Sequence, residues 1–257
     1  MKRGSTELFS ETELQIYSLI SRRNGIKARE IARELNLDKT EISRWMVSSA
    51  LMRELCYQDR DYFWHALVRQ RPPYDGLFEF SGWYGTVSEF MGETEETWLT
   101  RLEEGCRRIG RNLNDTRGLF HSFRDSRETM RTLFTDLQNM SDFQLDRWEI
   151  VFELRFNLMH RIRIYADVLV IAPGKVFSLE FKMKDKIDPE EILQAAKYVP
   201  YLEIIFGRNM DIYPALVLTG VSELFSYEPI GKSDYVLPVC SGDMLFNVFN
   251  EYMGFLE

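Results

Sequence analysis

The chain has 257 residues, of which 45% are hydrophobic and 14% aromatic, and its formal net charge is −8. This length and apolar content are sufficient for two hydrophobic cores. The lack of a membrane-length apolar run and of a secretory signal predicts a cytoplasmic protein with no membrane partner.

Local patterns exclude several kinds of site. The three cysteines, Cys56, Cys106 and Cys240, are far apart and odd in number, so they indicate neither a disulfide framework nor a zinc site. The sequence also contains no Walker loop and no dinucleotide fingerprint. Any ATP-driven activity would therefore need a separate ATPase chain.

The first seventy residues are predicted to form three helices and a β-hairpin. The first helix is predicted to begin after Ser10, because Ser10 and Glu13 have the spacing of a capping box. The second helix is predicted over residues 28–35 and the third over 39–51. Two short strands then flank a turn at 59–61 and form a hairpin over residues 54–66.

This pattern resembles a winged helix-turn-helix domain over residues 1–70. The resemblance implies a core that contains Ile31, Ala32, Leu35, Leu37 and Ile42. It also makes the third helix the recognition helix, which would present to DNA the residues Lys39, Thr40, Ser43 and Arg44, with Arg60 at the wing tip. Residues 1–71 carry a net charge of +3 and the remainder −11, which favours DNA contact through this module. Winged helices that bind proteins or act as spacers are the alternative.

Residues 71–141 are predicted to be a linker and a helical segment. A turn-rich stretch at 69–76 marks the boundary, and two or three helices follow between 94 and 140. Two apolar stripes are typical of core positions: Trp98, Leu102, Cys106, Ile109 and Leu113, then Met130, Leu133, Phe134 and Leu137. A basic run could flank DNA or form a solvated face paired with acids: Arg107, Arg108, Arg111, Arg124, Arg127 and Arg131.

The most informative residues lie in a predicted hairpin between about 163 and 183. Its strands would meet at a tight turn at 173–175. Because side chains alternate along a strand, Glu180 and Lys182 share one face, and Asp167 on the other strand lies opposite one of them. Two carboxylates and an ammonium group would then converge, which suits a hydrated Mg²⁺ and the hydrolysis of a phosphodiester. A solvated strand face is the alternative interpretation of Glu180 and Lys182.

A helix is predicted to follow, with Asp188 as its N-cap and Pro189 in its first turn, and to end before Pro200. Gln194 and Tyr198 are four residues apart, so they would share the face that reaches the hairpin.

Together these residues resemble the PD-(D/E)xK nuclease superfamily, in particular its RecB-type branch with a Gln-x-x-x-Tyr motif. The resemblance covers about residues 148–220. It implies that Asp167 and Glu180 hold Mg²⁺ or Mn²⁺, that Lys182 acts on the water or the transition state, and that Gln194 and Tyr198 support the site.

The resemblance also implies a third acidic ligand on a helix before the Asp167 strand. That helix is predicted over residues 145–159, where Glu149 and Glu153 both qualify and Glu153 is preferred because it is nearer the strand. Ala166 stands where the family often has proline.

The predicted fold is an α/β, restriction-endonuclease-like mixed sheet flanked by helices over residues 142–257, preceded by the helical segment and the winged-helix domain. The leading function is a Mg²⁺-dependent nuclease acting on DNA. The alternatives are a DNA-binding regulator whose nuclease-like domain is inactive and serves dimerisation or partner binding, and an RNA-directed or effector-triggered nuclease. A homodimer would suit double-strand cleavage, and roles in restriction, phage defence, mobile elements or repair remain open.

Overall fold

The computed structural model describes residues 10–23, 25–66, 76–113, 116–140, 145–156, 164–206, 210–231 and 235–253. The predicted linker residues 67–75 lie outside these ranges. The N-terminal module consists of four helices and a hairpin: α1 (Glu11–Arg22), α2 (Ala28–Leu35), α3 (Lys39–Ser48), α4 (Ala50–Leu55), β1 (Cys56–Gln58) and β2 (Trp64–Ala66).

Local sequence signals account for most boundaries in this module. Ser10 and Glu13 form the predicted capping box at the start of α1, with Ser10 N donating to Glu13 Oε2 at 2.8 Å. The helix predicted over 39–51 is divided at Ser49, because this extended residue caps α4 by accepting from Met52 N at 3.1 Å. The residues predicted for the core are buried or partly buried within the module: Ile31, Ala32, Ile42, Leu35 and Leu37.

The middle segment contains one strand and four helices, namely α5 (Leu77–Phe80), β3 (Trp83–Thr86), α6 (Val87–Gly92), α7 (Glu95–Arg108) and α8 (Thr116–Met140). Both apolar stripes predicted here lie in the interior, with Leu113 only partly buried. β3 belongs to the large sheet, so that sheet draws on residues from both sides of the predicted boundary at 141/142.

The prediction of a helix over residues 145–159 is wrong. A short 3₁₀ helix at Leu145–Arg147 is followed by the strand β4 (Glu149–Arg155). The strand β4 pairs with β3 on one side and with β5 on the other, and its apolar side chains are buried on both faces of the sheet. A buried strand loses the polar–apolar alternation, so its apolar run resembles that of a helix.

The C-terminal half contributes the remaining elements: β5 (Tyr165–Ala172), β6 (Lys175–Lys182), α9 (Pro189–Ala196), α10 (Val199–Phe206), β7 (Asp211–Leu218), β8 (Phe225–Pro229), β9 (Val236–Ser241), a 3₁₀ helix at Gly242–Met244 and α11 (Leu245–Met253). The predicted hairpin turn is confirmed, with Gly174 at φ +74°. The helix after Asp188 ends at Ala196, three residues earlier than expected, and a new helix begins at Val199 with Pro200 as its second residue.

The described strands of this half, with β3, form a mixed seven-stranded sheet in the order β3-β4-β5-β6-β7-β9-β8. Strands β3 to β6 are antiparallel neighbours, whereas β6, β7 and β9 run parallel. The predicted α/β class is therefore confirmed.

Helices cover the sheet on two faces. One face packs against α9 and α10, and its apolar cluster continues into the N-terminal module, where the rings of Tyr17 and Tyr201 meet edge to face at 6.0 Å. The other face packs against α7, α8 and α11. Within the described residues, no helix is both long and apolar enough to span a bilayer.

Candidate functional site

The hairpin of β5 and β6 places Asp167 opposite Glu180. Val168 pairs with Leu179, so the next antiparallel position along the ladder matches these two acidic residues. Asp167 Oδ2 accepts a hydrogen bond from the backbone N–H of Phe181 at 2.9 Å, which fixes the carboxylate beside β6.

Glu153 joins this pair because β4 changes face at that residue. Phe152 packs on one side of the sheet and Leu154 on the other, although residues two apart in a regular strand share a face. Glu153 has φ +55° and lies opposite Asp167, in the gap between the pairs Phe152–Val168 and Leu154–Ala166, so the ladder is interrupted there without a change of register. The side chain of Glu153 is 4% exposed and lines the same cavity as Asp167. Glu149, the other candidate for the third acid, instead accepts a hydrogen bond from Tyr84 Oη.

Glu180 is surrounded by the other predicted site residues. Its Oε1 accepts from Lys182 Nζ at 2.6 Å and from Gln194 Nε2. Gln194 Nε2 also lies 3.1 Å from the hydroxyl oxygen of Tyr198, which occupies the turn between α9 and α10. The Tyr198 ring stacks on Phe156 with centroids 5.6 Å apart. The structure thus brings Asp167, Glu180, Lys182, Gln194, Tyr198 and Glu153 together.

The three carboxylates are held where negative charge is unfavourable. Burial raises the pKa of Glu180 to about 8, and the neighbouring Asp167 adds to this shift. Burial also raises the pKa of Glu153 to about 8, although the Arg111 guanidinium opposes it. Burial raises the pKa of Asp167 as well, against the effect of Lys182. Such a cluster gains stability by taking up either protons or a cation.

The pKa values of the neighbouring ammonium and phenol groups are raised as well, each by a different balance of causes. Burial would lower the pKa of Lys182, but Glu180 and Asp167 outweigh it and raise that pKa, so the ammonium stays charged. Burial and the same two carboxylates raise the pKa of Tyr198, so its hydroxyl stays protonated.

A divalent cation fits this set of donors. In the described part of the chain, no group of three or more histidine, cysteine, aspartate or glutamate side chains is arranged so that it could hold a metal ion. Mg²⁺, however, keeps several waters and usually takes one or two carboxylates, which Asp167 and Glu180 could supply. Glu180 Oε2 is buried and has no hydrogen-bond partner among the described residues, and such an orphaned oxygen is costly. A cation would remove that cost.

Arg111 is a member of the site that the sequence did not single out. It follows α7, and its Nε lies 2.9 Å from Glu153 Oε2. It also lines a cavity of about 140 Å³ together with the side chains of Glu153, Asp167, Lys182, Ser122 and Ser126. The basic run was the only signal that could have drawn attention to it.

The rest of the basic run is engaged in internal contacts rather than collected into a DNA-facing surface. Arg127 Nη2 donates to the Glu93 carbonyl oxygen at 2.7 Å, and Arg131 Nη1 donates to that of Met91 at 2.8 Å. The remaining arginines pair with acids or with carbonyl oxygens: Arg107 with Glu103, Arg124 with Glu95, and Arg108 with Phe78 and Ser81.

The predicted DNA-contacting residues occupy exposed positions on the N-terminal module. Lys39, Ser43 and Arg44 are exposed on α3, and Arg60 is exposed in the turn between β1 and β2. The Thr40 hydroxyl is hydrogen bonded to Asp38, the N-cap of α3. The same turn as Arg60 carries Tyr62, which is 73% exposed with φ +64° and was not anticipated from the sequence.

No protein-family model matches this chain, and no curated protein or solved structure matches it either.

Proposed function

We propose that this chain is a metal-dependent nuclease of the PD-(D/E)xK type that hydrolyses phosphodiester bonds in DNA. The observation that carries the proposal is the buried carboxylate of Glu180, with the partly buried Asp167 beside it and Lys182 bonded to it. A fold does not retain so unfavourable a cluster for stability alone, and strongly perturbed carboxylates beside a cavity are typical of functional sites.

Asp167 and Glu180 would hold Mg²⁺ or Mn²⁺, while Glu153, the third acid of the cluster, stays paired with Arg111 instead of joining the metal ligands. A cation bound there would lower the pKa of a water molecule and neutralise charge on the phosphate. Water oxygen forms the new bond to phosphorus, one bond from phosphorus to a sugar oxygen breaks, and the products are a phosphate monoester and a hydroxyl group.

The chain's own side chains have separate tasks in this reaction. The Lys182 ammonium stabilises the negative charge that develops on the phosphate, because a fixed cation in a partly buried site is poorly screened by water. Gln194 orients Glu180 by donating to Oε1. The neutral Tyr198 hydroxyl completes this network without adding a charge.

The N-terminal module supports DNA as the substrate. Its helices and hairpin follow one another in the order typical of a winged helix, and Ile26 forms a further β-bridge to Trp64 of the hairpin. The exposed side of α3 presents Lys39, Ser43 and Arg44. In this proposal α3 is the recognition helix and Arg60 contacts the backbone from the wing.

Cleavage assays with matched lysine variants test the proposal. We expect Mg²⁺- or Mn²⁺-dependent cleavage of plasmid or single-stranded DNA that is lost in EDTA, and cleavage of RNA alone would overturn DNA as the substrate. Lys182→Gln should lower the rate by roughly a hundredfold or more, because it removes the charge beside the phosphate. Lys184→Gln is the control, since Lys184 is two residues away, half exposed and paired with Glu191.

Glu180→Ala should abolish cleavage while circular dichroism shows a folded protein.

One observation favours the regulator as the second candidate: Lys182 Nζ already neutralises Glu180 without a metal. Sequence-selective DNA binding with no cleavage of any of the three substrates would replace the nuclease with that regulator.

A further inference from the structure

The loop after α7 holds Arg111 rigidly beside β4. Gly110 has φ +70°, which lets the chain reverse, and Arg111 N donates to the Cys106 carbonyl oxygen at 2.8 Å. Arg155 of β4 donates to the carbonyl oxygen of Ile109. The backbone that carries Arg111 is therefore anchored on both sides.

The Arg111 guanidinium is oriented but not saturated. Its Nε lies 2.9 Å from Glu153 Oε2, its Nη2 donates to Oε1 at 3.4 Å, and its plane lies over the Tyr165 ring at 4.5 Å. Nε and Oε2 nevertheless lack an aligned hydrogen-bond partner among the described residues. A guanidinium has five N–H donors, and within the described residues only Nη2 of Arg111 donates a hydrogen bond, so the Nη1 hydrogens and the second Nη2 hydrogen remain for an incoming oxygen.

The cavity beside Arg111 has the composition of an anion site next to a cation site. Arg111 and Lys182 supply positive charge, and Ser122 on α8 supplies a hydroxyl group. Ser126, one helical turn further, also lines the cavity, but its hydroxyl donates to the Phe123 carbonyl oxygen at 3.0 Å. The volume of about 140 Å³ corresponds to roughly four or five water molecules. That is enough for one phosphate group with accompanying water.

We propose that Arg111 is a catalytic residue that binds the phosphate group undergoing cleavage while it remains clamped on Glu153. This inference rests on the proposed nuclease function and adds a second cation to it. Lys182 approaches the phosphate from β6, and Arg111 approaches it from the loop after α7. The planar guanidinium can donate two parallel hydrogen bonds to phosphate oxygens, which an ammonium cannot do.

The test measures metal and phosphate binding separately, so that it does not depend on cleavage. Mn²⁺ binding to the full chain is titrated by electron paramagnetic resonance. Orthophosphate binding to the Mn²⁺-loaded protein is then followed through the paramagnetic relaxation of its ³¹P signal. Arg111→Gln is compared with Arg107→Gln, which removes the same charge from an exposed position on α7.

We expect Arg111→Gln to bind Mn²⁺ but to bind orthophosphate about ten- to a hundredfold more weakly, as for the loss of a charge-assisted hydrogen bond. Arg107→Gln should bind phosphate as the wild type does. In a Glu153→Gln background, Arg111→Gln should still weaken phosphate binding, because the contact is direct rather than transmitted through Glu153.

Several outcomes overturn the inference. Unchanged phosphate affinity in Arg111→Gln, or an effect that disappears in the Glu153→Gln background, removes Arg111 from the phosphate and leaves the nuclease proposal standing. Loss of Mn²⁺ binding in Arg111→Gln would assign the residue to the metal site instead. Failure of the wild type both to bind Mn²⁺ and to cleave would overturn the nuclease proposal itself.

Discussion

At the scale of single residues, Glu153 illustrates how one backbone conformation contributes to the site. A φ of +55° is unfavourable for a residue with a side chain, and such strain commonly amounts to about 1–3 kcal/mol at functional sites. The Gly82 N–H offsets part of it by donating to the carbonyl oxygens of Phe152 at 2.9 Å and Glu153 at 3.2 Å. Because β4 changes face at this residue, the positive φ of Glu153 and the acidic cluster form one feature.

The buried carboxylates predict how stability changes with pH in EDTA. The pKa of Glu180 is raised above its value of 4.5 in the unfolded chain, so its favourable contribution is complete below about 4.5 and is lost as pH rises through about 8. Between about pH 4.5 and 8, each pH unit removes about 1.4 kcal/mol, or roughly 3–6 °C in Tm, and the loss stops above the folded pKa. Glu180→Gln cannot ionise, so its Tm should rise relative to wild type between about pH 5 and 8 and the difference should be constant at higher pH.

Thermal melting at several pH values measures this difference. Glu190→Gln is the control, because Glu190 is exposed at the start of α9 and its substitution should shift Tm equally across the range. Parallel Tm curves for wild type and Glu180→Gln would contradict the buried ionisation.

At the scale of elements, the site depends on the close approach of α7 to the segment before β3. A Cβ added at Gly105 would lie 1.8 Å from the Gly82 carbonyl oxygen, and one added at Gly82 would lie 3.1 Å from Glu153 Cβ. The helix α7, the segment at Gly82 and the strand β4 at Glu153 are therefore in direct contact. Glycine is needed at position 105 because the backbone of a neighbouring segment occupies the space of a side chain.

Gly105→Ala should separate α7 from this segment and destabilise the fold by about 2–3 kcal/mol. Urea unfolding followed by circular dichroism measures the free energy of unfolding. Gly118→Ala on α8 is the matched control, since nothing lies within 4 Å of its added Cβ and alanine favours helix by up to about 1 kcal/mol. Equal stability of the two variants would show that α7 can move without cost.

At the scale of the whole molecule, the distribution of charge agrees with the proposal that one part of the chain binds DNA and another part cleaves it. Residues 1–71 carry +3 and the rest −11, so DNA affinity would come from the N-terminal module and the chemistry from the acidic half. The aromatic contact between Tyr17 and Tyr201 and the shared apolar cluster connect these two parts. A DNA contact on α3 should therefore serve binding without altering the chemical step.

Arg44→Gln should weaken duplex DNA binding and reduce the slope of log K against log salt concentration by about 0.9, the value for one phosphate contact. Fluorescence anisotropy at several salt concentrations measures both effects. Arg23→Gln is the control, because Arg23 lies beyond α1 and pairs with Glu34. An unchanged slope for Arg44→Gln would remove α3 from the DNA interface.

The sequence by itself determined the features that depend on neighbouring residues. The capping box at Ser10, the Asp188 cap with Pro189 and the β5–β6 turn follow from local chemistry, and the period of two placed Glu180 and Lys182 together. Only the tertiary structure decided that Glu153 lies on a strand, that β3 and β8 complete the sheet, and that Arg111 reaches the acidic cluster. The physical reason is that strand pairing and an ion pair across 42 residues of chain depend on partners that no local pattern specifies.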